Sequence, residues 1–401
     1  MAGLFLEWSR DKRACGGGVL AGKAFEAGAG TAESSSVHNT AGSGPLISVI
    51  IPVRNEARRM EGLLRTLGRQ DCPEAEYIFL DDRSSDESPG LLRQFAAAHE
   101  NVQIVTLTEN PGPNHKQFAL GRGIAMARGQ LFLFTDADCE VSPSWIRSMV
   151  LRMADRRIGA VIGPVFKLSP SPSRQGQSLP EQGSPGGEAF ERGQSSFGKR
   201  FFQVYQCFDH AIRYMYLAGS TGLGAAGGGF GNNLILRREA LDSIGGYGQI
   251  PHSPTEDAAL ISRIRAEAVY RIRSACGADV QVMTRGESSW GALLNQTLRW
   301  NNGGLFSPDF STRLNFGFLM IAISMGILAI PLLPFIPSLW PLPWAVLLSM
   351  GANTMATLRI FGSALPKAGL AWILHTVFTP VYFTVLTILG FLGKKSSWKE
   401  E

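Results

Sequence analysis

The chain of 401 residues has no closely spaced cysteines and few charged side chains. Its five cysteines are far apart, and no two of them form a CxxC pair. Since disulfide frameworks and structural zinc sites need closely patterned cysteines, neither is predicted, and a reducing compartment is expected. Charged residues make up 18% of the sequence and the formal net charge is +5, which suits anionic small molecules or an anionic membrane face. Extended nucleic acid is not an expected partner.

Two stretches lack hydrophobic periodicity. Residues 1–45 carry runs of Gly, Ala and Ser, and residues 168–198 are rich in Pro, Ser, Gly and Gln. Such compositions bury too little surface to offset the entropy of ordering, so we predict a disordered N-terminal arm and a disordered insertion. The apolar opening is too short for the core of a signal peptide, and charged residues follow it at once, so export is not expected.

Between Ile47 and Phe166, short apolar runs alternate with amphipathic segments of helical length. The runs are rich in β-branched and aromatic residues, which favours strands, and the alternation is typical of βαβ units. The pattern predicts an α/β domain with a mostly parallel central sheet. Polar residues follow three predicted strands, at 54–56, 81–86 and 136–138. Because open α/β sheets bind ligands beyond the carboxyl ends of their strands, a ligand site is expected at this edge.

Two pairs of carboxylates are candidates for chemistry. Asp136 and Asp138 emerge from one turn after a predicted strand, and hard oxygen ligands of this kind suit Mg²⁺ or Mn²⁺. The alternative for a DxD tripeptide alone is a solvated turn. Glu256 and Asp257 precede an amphipathic segment, where the alternative is an acidic helix N-terminus stabilised by the helix dipole.

Gln296, Arg299 and Trp300 are spaced so that all three can project from one helical face. A guanidinium there could offset the charge of a diphosphate, and an indole could support a sugar face; a structural Arg–Trp stack is an equal alternative. The Gly-rich stretch 222–233 is weaker evidence for phosphate binding, and we favour a flexible loop or closely packed backbone there.

Five motifs together are more specific than any one of them. They are Pro52-Val-Arg-Asn-Glu56, Asp81-Asp82-Arg-Ser-Ser-Asp86, Asp136-Ala-Asp138, Thr255-Glu-Asp257 and Gln296-Thr-Leu-Arg-Trp300. In order and approximate spacing they resemble the family 2 glycosyltransferases over residues 47 to about 302, with the Pro- and Ser-rich insertion as the main departure. QxxRW is the specific motif of the set. The resemblance implies a GT-A, Rossmann-like nucleotide-sugar domain over residues 46–310.

The resemblance also implies a donor site made of nucleotide-binding and diphosphate-binding residues. By resemblance, the pocket for the base and ribose is formed by Val53, Glu56, Asp81 and Asp82. Lys116 resembles a basic position near the nucleotide, although His115-Lys116 departs from the family's usual Gly-Lys. Asp136 and Asp138 resemble the pair that handles the diphosphate and a Mg²⁺ or Mn²⁺ ion, with Asp138 the expected direct ligand.

The catalytic residues implied by the resemblance lie in the last two motifs. Asp257 resembles the general base, with Glu256 the next candidate, and Gln296, Arg299 and Trp300 resemble the element that meets the acceptor and the leaving group. A carboxylate base would deprotonate the acceptor hydroxyl as it attacks the anomeric carbon. One such displacement inverts the anomeric centre.

Three apolar stretches follow Asn315, near 316–337, 341–358 and 369–393. Each approaches the roughly 20 residues that cross a bilayer as a helix, so a membrane region is predicted over 314–393 with two to three helices, followed by a polar tail at 394–401. The flanking basic residues, which favour the cytoplasm, are Arg313, Arg359, Lys367, Lys394 and Lys395. Three full spans cannot satisfy them all, so one stretch, such as the one that Pro331 interrupts, could be re-entrant or interfacial.

The sequence therefore predicts a multi-pass enzyme of the inner, cytoplasmic membrane, with its catalytic domain on the cytoplasmic side. The expected reaction moves a sugar from a nucleotide-sugar donor, UDP-linked by resemblance, to a lipid or glycan acceptor. The alternative is a processive polysaccharide synthase of the cellulose, chitin or hyaluronan type, which usually has membrane helices on both sides of the catalytic domain. A catalytically silent scaffold and a transporter are weaker alternatives.

Overall fold

A computed structural model describes residues 6, 7, 9–11, 47–112, 115–167, 196–253, 255–307, 309–362, 365 and 369–394. Most of the predicted N-terminal arm, the predicted insertion up to residue 195, and the tail from residue 395 lie outside the described residues, as do Lys367 and Lys395.

Ten strands are present in the described residues. They are β1 (Ile47–Val53), β2 (Ala75–Asp82), β3 (Val102–Leu107), β4 (Leu131–Phe134), β5 (Cys139–Val141), β6 (Ile158–Ile162), β7 (Val165–Lys167), β8 (Leu234–Arg237), β9 (Arg271–Ser274) and β10 (Val282–Thr284). Seven of them form the main sheet in the order β3-β2-β1-β4-β8-β6-β9. Only β8 runs antiparallel to its neighbours, so the predicted mostly parallel sheet is confirmed.

Eleven α-helices connect or cover these strands in the described part of the chain. They are α1 (Glu61–Leu67), α2 (Ser88–Ala97), α3 (His115–Met126), α4 (Trp145–Leu151), α5 (Ser196–Gly222), α6 (Arg238–Asp242), α7 (Glu256–Glu267), α8 (Trp290–Leu305), α9 (Phe310–Ala329), α10 (Pro341–Phe361) and α11 (Gly369–Phe391). The start of α5 corrects the predicted insertion, because residues 196–198 are helical.

The main sheet has a hydrophobic core on each face. Successive residues of β1 alternate between the two cores, with Ile50 on one side and Val49 and Ile51 on the other. All eight residues of β2 are buried, because helices cover both faces of a parallel sheet. The ends of β1, β2 and β4 are thereby held at one edge, where the polar residues of the motifs follow them.

A small second sheet, in the order β5-β10-β7, extends the same edge. In its register Thr284 pairs with both Cys139 and Lys167. The turn that carries Asp138 therefore lies beside the ends of two strands that are distant in sequence.

Glu7 and Asp11 differ from the expected disordered arm, because both side chains are buried against the domain. Asp11 pairs with the guanidinium of Arg152 at 2.6 Å, and Glu7 pairs with Arg273 at 3.0 Å. Glu7 and Asp11 also accept the backbone N–H groups of Ser274 and Cys276. The composition of the arm did not predict this contact, because it depends on two carboxylates that bind residues distant in sequence.

The C-terminal helices pack onto the α/β domain. Phe361 at the end of α10 contacts Phe166 and Tyr214, with ring centroids 5.0 and 5.8 Å apart. The first helix begins at Phe310, earlier than the predicted 316, because Asp309 caps it by accepting the N–H of Thr312 at 2.6 Å.

Within the described residues, one helical segment is long and apolar enough to cross a membrane, namely Phe310–Leu332 with a mean hydropathy of 2.0. The α-helix itself ends at Ala329, and short 3₁₀ turns follow where Pro331 and Pro337 interrupt the first predicted stretch.

Candidate active site

The predicted nucleotide-binding residues gather where β1 and β2 end. Val53 is the register partner of Asp81, and Asp82 follows directly. Asp82 is buried and contacts the guanidiniums of Arg83 at 2.8 Å and Arg54 at 3.4 Å. The strands therefore bring Val53, Asp81 and Asp82 together as predicted.

Glu56 lies in the loop after β1, where its carboxylate pairs with Arg59 at 3.1 Å. Ser84 donates its backbone N–H to Asp81 at 3.2 Å. Neither Glu56 nor Asp81 is among the described residues that line the large cavity next to this edge. The residues predicted for the base and ribose are therefore not part of the described cavity wall.

Lys116 lies in the first turn of α3 and joins two of the predicted carboxylates. Its ammonium is 2.7 Å from Asp136, which follows β4, and 3.6 Å from Glu256 at the start of α7. Burial alone would lower the pKa of Lys116, but these carboxylates outweigh burial and raise it above the ordinary lysine value. Lys116 therefore stays charged and offsets the acidic cluster.

Asp257 lies in the first turn of α7 with both carboxylate oxygens held. It accepts the backbone N–H groups of Ala258 and Gly231, each at 2.8 Å. Burial, followed by the charge of Glu256, raises the pKa of Asp257 to about 6, against the opposing effect of Lys116. This carboxylate is ionised near neutral pH yet basic enough to take a proton. The alternative prediction of an acidic helix N-terminus is also confirmed, because Glu256 and Asp257 lie in the first turn of α7.

The QxxRW residues lie on α8, and all three side chains line the same cavity, as the helical spacing predicts. Gln296 donates from Nε2 to Glu287 at 2.6 Å. Burial lowers the pKa of Arg299, while Glu256, Asp257 and other nearby carboxylates oppose that shift. The Arg299 side chain is thus placed to meet negative charge that develops in the cavity.

The cavity has a volume of about 760 Å³ and unites charged and apolar walls. Its charged wall includes Lys116, Asp136, Asp138, Glu256, Asp257, Gln296, Arg299 and Trp300. Its apolar wall comes from the C-terminal helices and includes Phe316, Leu319, Met320, Ile323, Met350 and Phe383. The predicted catalytic residues therefore open onto the helices predicted to meet the membrane.

The Gly-rich stretch is closely packed at Gly227, as one of the two favoured interpretations predicts, whereas Gly224 has open space around it. A Cβ atom at Gly227 would overlap the side chain of Thr312 on α9, which would have to shift to make room. Gly231 contributes its N–H to Asp257.

Several residues of the cavity were not predicted from the sequence. Lys167 is buried at the end of β7 and donates to the carbonyl of Arg285 at 3.1 Å. Glu287 accepts the hydrogen bond from Nε2 of Gln296. His210 and Arg213 reach the cavity from α5. These residues carry no local motif, and only strand register and helix packing bring them to the site.

The residues near Asp138 fit a divalent cation that completes its shell from the substrate. Asp138 accepts the hydroxyl of Thr284 at 3.3 Å and lines the cavity with Asp136. The described residues contain no cluster of three or more His, Cys, Asp or Glu side chains that could hold a metal ion. Two carboxylates are nevertheless a donor set that suits Mg²⁺ or Mn²⁺ when phosphates and water supply the other ligands.

The sheet order, the carboxylates at its edge and the QxxRW helix define a glycosyltransferase of the GT-A fold. The chain belongs to glycosyl transferase family 2: the model of that family matches residues 48–244, and the model of glycosyl transferase family group 2 matches residues 195–392.

Known relatives agree with this class. A mannosyltransferase from Pyrobaculum calidifontis, solved in complex with GDP-mannose and Mn²⁺, aligns over 98% of this chain and 100% of its own, with a TM-score of 0.50 and 19% identity, which supports the fold. The β-monoglucosyldiacylglycerol synthase of Trichormus variabilis is 23% identical over 305 residues, which is 73% of this chain and 58% of that protein. The undecaprenyl-phosphate 4-deoxy-4-formamido-L-arabinose transferase of Klebsiella pneumoniae is 35% identical over 114 residues, which is 26% of this chain and 33% of that protein. The chain thus spans little more than half of the first relative and a third of the second.

Proposed function

We propose that this protein is a membrane-attached, inverting glycosyltransferase that moves a sugar from a nucleotide-sugar donor to a lipid-like acceptor. The observation that carries the proposal is the cavity, in which Asp257 and Arg299 share one space with Leu319, Ile323 and other apolar side chains. A purely soluble acceptor would gain nothing from that apolar wall.

The names of the relatives support a lipid acceptor. One is a synthase of β-monoglucosyldiacylglycerol, and another transfers a sugar to undecaprenyl phosphate. Both act on molecules with long hydrocarbon chains, which agrees with the apolar wall of the cavity.

Asp257 is proposed as the general base. An alcohol is a poor nucleophile near neutral pH, so a carboxylate within hydrogen-bond reach must take its proton during attack. The pKa of Asp257, raised by burial and by Glu256 to about 6, suits this task. Glu256 tunes that pKa, and a single displacement inverts the anomeric centre.

The donor is proposed to lie between the strand edge and the QxxRW helix. Val53, Glu56, Asp81 and Asp82 would hold the base and ribose, with UDP as the proposed nucleotide, while Lys116 and Arg299 face the diphosphate. These cations stabilise the negative charge that gathers on the leaving group. Asp138 and Asp136 would hold Mg²⁺ or Mn²⁺, which when bound supplies further positive charge to the diphosphate.

The C-terminal helices are proposed to attach the enzyme to the inner membrane in a multi-pass arrangement, with the catalytic domain on the cytoplasmic side. Large apolar side chains project outward from α9 at helical spacing, among them Phe310, Leu314, Phe318, Ile321, Met325 and Leu328. A continuous exposed apolar stripe of this kind suits contact with lipid.

The proposal is tested with full-length protein in detergent, a panel of labelled UDP- and GDP-sugars, and a membrane lipid extract. We expect label to move into the organic phase, and Asp257→Asn to slow that transfer by about 10² to 10⁴. Label that stays in water as a long polymer would instead identify a processive synthase, and label that moves only to soluble sugars would overturn the lipid acceptor.

A further inference from the structure

A second group of polar side chains faces the cavity from α5. Arg213 lies between two aromatic rings, 5.3 Å from the centroid of Trp300 and 5.1 Å from that of Phe383 on α11. Its Nε donates a hydrogen bond to Asp209 at 2.8 Å. Within the described part of the chain, the buried Nη2 has no hydrogen-bond partner.

His210 and Asn301 also carry a buried polar atom without a partner among the described residues. His210 is 3% exposed and stacks on Phe230 at 5.0 Å, and Asn301 is 1% exposed on α8. Among the residues that the structure describes, His210 Nδ1 and Asn301 Nδ2 have no hydrogen-bond partner. A buried polar atom without a partner costs about 1–3 kcal/mol, so three of them around one cavity indicate a bound group that supplies oxygen atoms.

The position of this group fits an acceptor. Phe230, which stacks on His210, directly precedes Gly231, whose N–H holds Asp257. On the other side, Phe383 borders the apolar wall of the cavity. His210 thus contacts the residue before the one that holds the proposed base, Arg213 contacts Phe383 of the apolar wall, and Asn301 lines the same cavity.

The charges around the group are balanced. Arg213 is paired with Asp209, and Lys167 lies near Glu287 and Asp138. Burial, followed by the charges of Lys167 and Arg213, lowers the pKa of His210 well below its ordinary value, so its ring is neutral. Among His210, Arg213 and Asn301 an anionic head group would therefore meet one cation, already paired with Asp209, whereas hydroxyl groups would find several hydrogen-bond partners.

We propose that His210, Arg213 and Asn301 form a subsite for the head group of a neutral, hydroxyl-bearing amphiphile, so that the nucleophile is an alcohol and not a lipid phosphate. This inference rests on the proposed function. In the reaction, the acceptor oxygen bonds to the anomeric carbon, the bond from that carbon to the diphosphate oxygen breaks with its electron pair on the diphosphate, and the hydroxyl proton passes to Asp257. A phosphate acceptor is already ionised and needs no such base.

The first test compares Asn301→Leu with the matched control Asn302→Leu. Leucine has the same number of side-chain heavy atoms as asparagine, and Asn302 is the next residue on α8 but does not line the cavity. Losing a hydrogen bond of ordinary strength should raise the acceptor KM of Asn301→Leu roughly tenfold, with donor KM and Tm kept. The control should leave acceptor KM unchanged, and an unchanged acceptor KM in Asn301→Leu would overturn the subsite.

The second test presents a long-chain diacylglycerol and a polyprenyl phosphate in identical micelles, with Arg213→Lys as the variant that keeps charge but loses the planar fork. We expect sugar transfer to the diglyceride, weakened roughly tenfold or more in the variant. Transfer to the phosphate alone would overturn this inference while leaving the proposed function intact. Transfer to neither lipid, with transfer to soluble sugars, would overturn both.

Discussion

The two halves of the cavity region are built in different ways. At the strand edge, polar side chains find partners close in the chain or on the neighbouring strand, as Asp81 does with Ser84 and Asp82 does with Arg83. On the opposite wall, Arg213 of α5 is held between Trp300 of α8 and Phe383 of α11. The donor half therefore follows from strand topology, whereas the acceptor half depends on how the C-terminal helices pack.

Asp257 lies where the donor half and the acceptor half meet, so its substitution should have the largest effect on activity. Asp257→Asn should lower turnover by about 10² to 10⁴, because an amide cannot take the acceptor proton, while donor binding stays nearly intact. Single-turnover rates and nucleotide titration measure the two quantities separately. Wild-type turnover in the variant would place the base elsewhere, with Glu256 as the next candidate.

Asp138 tests the donor half alone. Asp138→Asn, or chelation of Mg²⁺ and Mn²⁺, should weaken donor binding and turnover together, by roughly 10² for the loss of cation stabilisation. Titration of each cation into chelator-treated enzyme, with nucleotide binding as a second readout, measures this. Full turnover in the presence of chelator would contradict a role for a divalent cation in the reaction.

Leu319 tests the acceptor half alone. Leu319→Gln places a polar group in the apolar wall and should raise the acceptor KM by roughly tenfold, because a buried amide without a partner is costly. The adjacent Phe318→Gln is the matched control, since Phe318 is 74% exposed and points away from the cavity. Equal effects on acceptor KM in both variants would contradict a lipid chain inside the cavity.

The smallest expected effect concerns pH. Glu256 raises the pKa of Asp257, so Glu256→Gln should lower that pKa and move the acid limb of kcat/KM to lower pH, by about 1 unit or less. In the wild type, activity should rise with pH through about 6, as Asp257 loses its proton. If the acid limb of kcat/KM did not move in Glu256→Gln, Glu256 would not be the residue that raises the pKa of the base.

Sequence patterns predicted the strands that form the donor half. The alternation of apolar runs gave strands β1 to β4 and the polar residues at their ends, because a parallel sheet enforces both periodicity and the location of ligands. The spacing of Gln296, Arg299 and Trp300 likewise predicted one helical face. Such features are local, and local features can be read from the chain.

The acceptor half could not be read in the same way. Lys167 reaches the cavity through its register with Thr284, and His210 and Arg213 face it because α5 packs against α10 and α11, with Arg213 in contact with Trp300 of α8. Hydropathy also placed the start of the first C-terminal helix six residues late, since it does not register the capping by Asp309. Hydropathy likewise could not show that Phe361 packs on the α/β core.

The most direct test of the central claim is to locate a lipid alcohol bound to the full-length enzyme. A diazirine-bearing diglyceride, activated by light in the presence of nucleotide, should label the cavity face of α9 and α10, at residues such as Leu319, Ile323 and Met350. An excess of unlabelled diglyceride should compete with that labelling. Labelling confined to outward residues such as Phe318 and Leu348, with none in the cavity, would contradict the claim that one cavity joins the carboxylates to the lipid.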